Sequence, residues 1–295
     1  MKSKISVNSE KLLLKTLNLL PTERNIEDEK SGNFIRIRYY RNLPGGSNSK
    51  RLSVPKEIAI TPELVKSLGI YYAEGDKSSK RWLTRFSNSE ISVVLEGMNL
   101  FKVVGVGTNI LKAYIRTYGF DTPDDELLMY WSEKTGIPKE NFIKIARYKS
   151  KRKYERNRKP VPKYGVVEVY YPSVVVRDIV DSLLATVKIL SLYNQEVGLN
   201  FLKGLIAREG SVKLHQNKIR EIRIASCNEN EQHFIRKLLK FVKVVPSNAV
   251  YDFYIAISGF DNFQKIKNLD ILQIHPEKKK AFDYGFNATI LTPGE

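Results

Sequence analysis

The chain has 295 residues, 42% of them hydrophobic, and carries 49 Lys and Arg against 32 Asp and Glu, a formal net charge of +17. That apolar fraction, with 16 Tyr and 13 Phe, supplies a sizeable core and excludes a wholly disordered chain. One cysteine, Cys227, excludes an internal disulfide and argues against a cysteine-built zinc site, and no apolar run approaches the roughly 20 residues that cross a bilayer. A cytosolic protein with a polyanionic partner and no membrane role is the expectation.

The N-terminal segment MKSKISVNSEKLLLKTLNLL reads as an ordinary first helix, not a signal peptide, because Lys15 interrupts a short apolar stretch. Residues 1–57 form an N-terminal extension whose FIRIRYYRN stretch (34–42) serves either nucleic-acid contacts or cover for the rest. Thr61, Pro62 and Glu63 then punctuate a helix start as N-cap, first-turn proline and dipole-compensating acid. Leu64, Val65, Leu68, Ile70, Tyr71 and Tyr72 make that helix apolar around most of its circumference, so it is buried on more than one side. Gly69 and Ala73, four apart, put small residues on one face, where another backbone can come close. The helix ends in Glu74-Gly75.

Partial alternation makes 81–87 a strand, β-branched and aromatic residues make 164–171 another, and 93–104 and 178–190 read as helices. Between them, 144–163 holds ten basic residues against Glu155 alone, with Tyr148 and Tyr154 interleaved. Such a run stays in solvent or lies along phosphates. From Asn194 the same order of events returns. Leu202, Leu205 and Ile206 form an apolar helix with Gly204 as its small spot, ending in Glu209-Gly210. Strand 220–226 follows a hairpin near Gln216-Asn217-Lys218, then a helix over 231–242 and a strand over 249–257. Glu209 lies 135 positions after Glu74. Two copies of a helix–hairpin–helix–hairpin–helix unit, 58–190 and 191–295, make a pseudo-dimeric α+β protein. Gly75 and Gly210 are read as left-handed residues closing the two helices.

LKGLIAREG (202–210) resembles the motif of the LAGLIDADG homing endonuclease family, with Leu202, Gly204, Leu205, Ile206 and Gly210 matching and Glu209 in place of the last Asp. SLGIYYAEG (67–75) is a looser copy through Gly69, Ala73 and Gly75, with Glu74 standing in for Asp. The stretch from Gln273 to Lys280 is similar to the end of a family domain. The resemblance covers roughly residues 58–290 and implies two pseudo-twofold αββαββα units packed through their motif helices, with saddle-shaped sheets in the DNA major groove. It implies site-specific cleavage of both strands across the minor groove, with Mg2+, or another divalent ion such as Mn2+, held by Glu74 and Glu209. Lys203 and Arg208 stand where the family has small residues, which implies a looser helix approach, and Tyr72 and Ala207 replace the motif's first Asp.

Helix C-termini disfavour carboxylates, so finding Glu there twice argues for a ligand role, and carboxylate oxygens suit hard divalent ions. Lysines at a reacting phosphate stabilise developing charge. The candidates are Lys188 in the first half and Lys278, Lys279 or Lys280 in the second, with Lys279 taken as representative. Candidate DNA contacts are Lys77, Lys80, Arg81, Arg85, Lys149, Lys151, Arg152, Lys153, Lys213, His215, Arg220 and Arg223. The three histidines show no ligand spacing, and His275 before Pro276 reads as structural. A monomer acting on double-stranded DNA is the leading expectation. The rivals are an intron-RNA maturase, or a DNA- or RNA-binding protein without cleavage.

Overall fold

The computed structural model describes residues 13–20, 26–27, 32–40, 49–74, 83–118, 121–148, 162–226 and 228–291. Helix α1 (Pro62–Glu74) starts where the sequence punctuates it: Leu64 N donates to Thr61 Oγ1 at 3.3 Å. Helix α5 (Gln195–Glu209) opens on Asn194, whose side chain accepts from Glu196 N and Val197 N. Leu64, Val65, Leu68 and Ile70 of α1, and Phe201, Leu202, Leu205 and Ile206 of α5, are all buried.

The two helices meet through reciprocal glycines. A Cβ on Gly69 would overlap the Phe201 carbonyl oxygen and come 3.0 Å from Leu205 N. A Cβ on Gly204 would overlap the Lys66 carbonyl oxygen and come 3.0 Å from Ile70 N. Gly204, Phe201 and Leu205 each lie 135 positions after Gly69, Lys66 and Ile70, so the contact maps onto itself under exchange of the two copies. That self-mapping is the signature of a twofold interface. The looser approach expected from Lys203 and Arg208 is not found. Both are only partly buried, and the glycines carry the close contact.

The first unit continues with β6 (Leu83–Asn88), α2 (Ile91–Val103), β7 (Lys112–Tyr118), α3 (Asp124–Thr135), β8 (Phe142–Tyr148), β9 (Val166–Pro172) and α4 (Val174–Leu190). Its sheet has the order β6-β9-β7-β8, antiparallel except for the parallel β7/β8 pair. The second unit continues with β10 (Gly210–His215), β11 (Lys218–Ala225), α6 (Glu229–Phe241), β12 (Tyr254–Ile257), α7 (Phe260–Asn268) and α8 (Pro276–Leu291). Its sheet is the antiparallel meander β10-β11-β12. The protein is therefore a mixed α+β fold of two pseudo-twofold units joined through α1 and α5.

Four local expectations change. Residues 13–19 form a short strand, β1 (Leu13–Lys15), and a 3-10 turn, not a helix. The second hairpin of the first unit, β7/β9, is split by an insertion that holds α3 and β8. In the second unit only four residues of the 249–257 stretch join a strand, and α7 follows. Gly210 is extended (φ −72°), not left-handed. It is glycine because a Cβ there would stand 2.5 Å from the Ile206 carbonyl oxygen, where α5 turns directly into β10.

The N-terminal extension adds β2 (Ile26–Glu27), β3 (Phe34–Tyr40), β4 (Ser49–Pro55) and β5 (Glu57–Ala59). Ile35, Ile37, Leu52, Val54 and Ile58 point inward and share one core with the first unit. Ser182 on α4 donates to the Leu19 carbonyl at 2.9 Å.

Because the glycine contact is backbone against backbone, overpacking there has nowhere to relax. Gly204→Ala is expected to lower the urea unfolding free energy by about 1–3 kcal/mol or more. An unchanged midpoint would show that the helices do not touch at this position.

Candidate helix-end site and nucleic-acid interface

The last turns of α1 and α5 converge. Tyr72 and Ala73 from α1 and Leu205 and Glu209 from α5 line one cavity of about 310 Å³, closed by Ser226, Asn228 and Glu231. Glu209 is partly exposed there. Glu74 is the final residue of α1, one position beyond Ala73, and its side chain lies outside the described residues. The Glu231 carboxylate accepts from Ser226 Oγ at 3.3 Å. Burial, and then the charge of Glu231, push the Tyr72 phenol well above its ordinary pKa, so it stays protonated. Its hydroxyl is buried with no hydrogen-bond partner among the described residues.

Two lysines sit at the paired helix ends. Lys188 Nζ, in the last turn of α4, lies 4.5 Å from the Tyr72 ring centroid and 4.8 Å from that of Phe234. Lys278 Nζ, in the first turn of α8, donates to the carbonyls of Ile206, Ala207 and Arg208 at 3.1, 2.6 and 3.1 Å. A cation on the last carbonyls of a helix offsets both the dipole and the misplaced acid Glu209. Lys279 points elsewhere, donating to Asp270 Oδ1 at 2.6 Å, a hydrogen bond that raises its pKa. His275 accepts from Lys278 N through Nδ1 at 3.4 Å, which agrees with its structural reading.

The sheets each bury one face against helices. Strand β7 alternates cleanly, with Ala113, Ile115 and Thr117 buried and Lys112, Tyr114, Arg116 and Tyr118 on the other face. Register adds Arg85 and Ser87 from β6, Glu168 and Tyr170 from β9, and Lys144 and Tyr148 from β8 to that open face. Glu168 organises its centre, accepting from Arg85 Nη1 at 3.3 Å and pairing with Arg116 Nη2 at 3.5 Å. Arg116 also donates to Ser87 Oγ at 2.8 Å. Burial, then Glu168, raise the phenol pKa values of Tyr114 and Tyr170, keeping both as hydrogen-bond donors.

In the second sheet the open face carries Ser211, Lys213, Glu221, Arg223 and Tyr254. Arg223 is held by Glu221, with Nε donating at 2.7 Å, and its guanidinium lies 4.3 Å from the Tyr254 centroid. Arg220 is exposed at the β10/β11 register shift. His215 is exposed beside the two-residue turn Gln216-Asn217, both left-handed at φ 47° and 65°, the turn that matches strand twist.

Of the sequence-based candidates, Arg85, Lys213 and Arg223 thus lie on open sheet faces, Glu209 lines the helix-end cavity, and Lys188 lies over the ring of Tyr72, which lines it. Lys77, Lys80, Arg81, Lys149, Lys151, Arg152 and Lys153 lie outside the described residues. Lys112, Tyr114, Arg116 and Tyr170 were missed. The alternation KAYIRTY was the available signal for the first three, and VVEVYY for Tyr170. Among the described residues no three His, Cys, Asp or Glu side chains cluster as metal ligands, and no helix is long and apolar enough to cross a membrane.

No protein-family model and no curated protein sequence matches the chain. Among solved structures, it is similar to the N-terminal LAGLIDADG domain of DUF199/WhiA, at 13% identity and a TM-score of 0.40, covering 74% of this chain and 87% of that one. Full-length DUF199/WhiA from Thermatoga maritima aligns at 12% identity and a TM-score of 0.43 over 80% of this chain, which spans 63% of that protein. I-DmoI in complex with DNA and Mn aligns at 13% identity and a TM-score of 0.40, covering 70% of this chain and 96% of that one.

The neighbouring lysines separate by experiment. Lys278→Met removes a half-buried cap of three carbonyls and is expected to cost about 1–3 kcal/mol in urea unfolding. Lys279→Met breaks a surface pair and should stay within about 1 kcal/mol. Equal losses would remove the capping role.

Proposed function

We propose that this protein binds double-stranded DNA along its two open sheet faces and hydrolyses a phosphodiester in each strand at the paired ends of α1 and α5. The observation that carries the reading is the self-mapping glycine contact. It ties two helices, each ending in Glu-Gly, into parallel alignment with their last turns together. Cutting two antiparallel strands needs two sets of groups related by a twofold axis, and a duplicated helix end meets that need. The surplus of 17 positive charges and the Arg- and Lys-bearing open faces support a duplex polyanion as partner.

The donor set fits a hard divalent ion. Glu209 shares its cavity with Ser226, Asn228 and Glu231, all oxygen donors. Glu74 and Glu209 would hold Mg2+ or Mn2+, with water and phosphate completing a shell that such ions seldom complete with protein alone. When bound, the ion supplies Lewis acidity and charge neutralisation at the phosphate. The chain's own groups do the rest. The helix pair would set the spacing of the last turns of α1 and α5, Lys278 would hold the end of α5 in place, and Lys188 would bring positive charge beside Tyr72. Lys278, not Lys279, is assigned as the second-unit counterpart of Lys188.

The test uses purified protein, duplex DNA carrying the sequence that flanks its own gene, and Mg2+. Glu74→Gln and Glu209→Gln are each expected to slow cleavage by roughly two orders of magnitude or more, the scale set by losing an electrostatic group at a reacting centre. Gel-shift affinity should stay within several-fold. Cleavage unchanged in both variants overturns the assigned acids. EDTA-insensitive binding with no nicking selects the binding-only alternative.

A further inference from the structure

The two sheets are unequal, and the inequality is built from an insertion. Between β7 and β9, which pair directly, the chain makes a detour through α3 and β8 and adds a fourth strand at the sheet edge. The insertion is firmly anchored. Leu127 and Trp131 of α3 are fully buried, Trp131 Nε1 donates to the Tyr164 carbonyl at 2.8 Å, and Thr135 closes the helix on the Trp131 carbonyl. Its charges are sorted by side. Asp124, Asp125 and Glu126 lie in the first turn of α3, and Arg147 and Lys163 on that side pair with Asp124 and Glu126.

The opposite side of β8 carries no acid. Lys144 stands beside Tyr114, and Tyr148 beside Tyr118 with ring centroids 5.4 Å apart. Lys144 and Tyr148 are both exposed. The row therefore continues the basic and aromatic open face of β7, and one extra strand widens it by about 5 Å. The second unit has no counterpart among its described residues, because its sheet stops at β12.

We propose that the α3–β8 insertion is a duplex-DNA-binding extension of the first sheet, giving this unit a wider phosphate contact than the second. The proposal rests on the DNA-binding reading above. A lysine on an edge strand can also serve only to block edge-to-edge association, and that role would leave DNA affinity and its salt dependence untouched.

Binding of an arbitrary-sequence 30-base-pair duplex, measured by anisotropy across a KCl series, separates the cases. Lys144→Ala with Tyr148→Ala is expected to weaken binding several-fold and to reduce the slope of log K against log salt by about 1, one phosphate contact. Lys134→Ala, exposed on α3, is the control and should change neither. If wild-type protein binds no duplex, the DNA-binding reading itself fails. If wild-type binds and the double variant matches it in affinity and slope, the extension is overturned while that reading stands. A loss seen only with structured RNA overturns it equally.

Discussion

The architecture depends on two helices being allowed to touch backbone to backbone. Ordinary helix pairs sit about 8–10 Å apart because side chains intervene. At Gly69 and Gly204 no side chain intervenes, and each glycine lies against the carbonyl and amide groups of the other helix. The contact is reciprocal, so one substitution disturbs both copies at the same place. Separation of the two helix ends follows from this contact, since a rigid helix carries its geometry from Gly69 to Glu74 and from Gly204 to Glu209 in the same number of residues.

That closeness concentrates negative charge. Each helix C-terminus contributes roughly half an elementary charge, and each ends on a glutamate. Like charges gathered in this way oppose folding unless cations are placed nearby. Lys278 answers at α5 by bonding three carbonyls, and Lys188 lies against Tyr72 at the end of α1. The rings of Tyr72, Phe201 and Phe234 pack around the same corner at centroid distances of 5.7 to 5.8 Å, which limits water and strengthens every charge interaction there.

The motif helices, their caps and the duplication were legible because buried helices impose a strong 3.6-residue pattern, and small residues four apart announce a close partner. The strand count was less legible. Ala113 and Thr117 soften the contrast between the two faces of β7, and α3 reads as a polar segment until Leu127 and Trp131 are seen buried. Residues 249–252 carry Val250 and Tyr251, which favour strands, but pair with no strand among the described residues. Instead, the Gln232 side-chain amide donates to the carbonyls of Tyr251 and Asp252, satisfying backbone that a neighbouring strand would otherwise take. Choosing among Lys278, Lys279 and Lys280 was beyond the sequence, because adjacent helix positions differ by about 100° and only the docking of α8 sets the phase. Residues 13–19 misled in the opposite direction. Leu13, Leu14, Leu17 and Leu20 fit a helical period, yet Thr16, fully buried, donates to the Pro55 carbonyl beside the β1/β5 pair, and tertiary contact overrides the local pattern.

Both open faces use one device that composition hides. A single buried carboxylate, Glu168 beside Arg85 and Arg116 in one sheet and Glu221 beside Arg223 in the other, sits on a face that is otherwise basic or neutral. Desolvating a buried carboxylate offsets much of what its ion pairs return, so these pairs are weak evidence for a stabilising role. The acid's effect is on geometry. Arg85 and Arg116 are drawn toward Glu168 from two strands, and Arg223 is fixed between Glu221 and the Tyr254 ring. An arginine already held in place loses less conformational freedom when it meets a planar acceptor, and its fork is oriented before contact. A face built in this way can favour some approaches of a polyanion over others, which a uniformly basic surface of the same net charge could not.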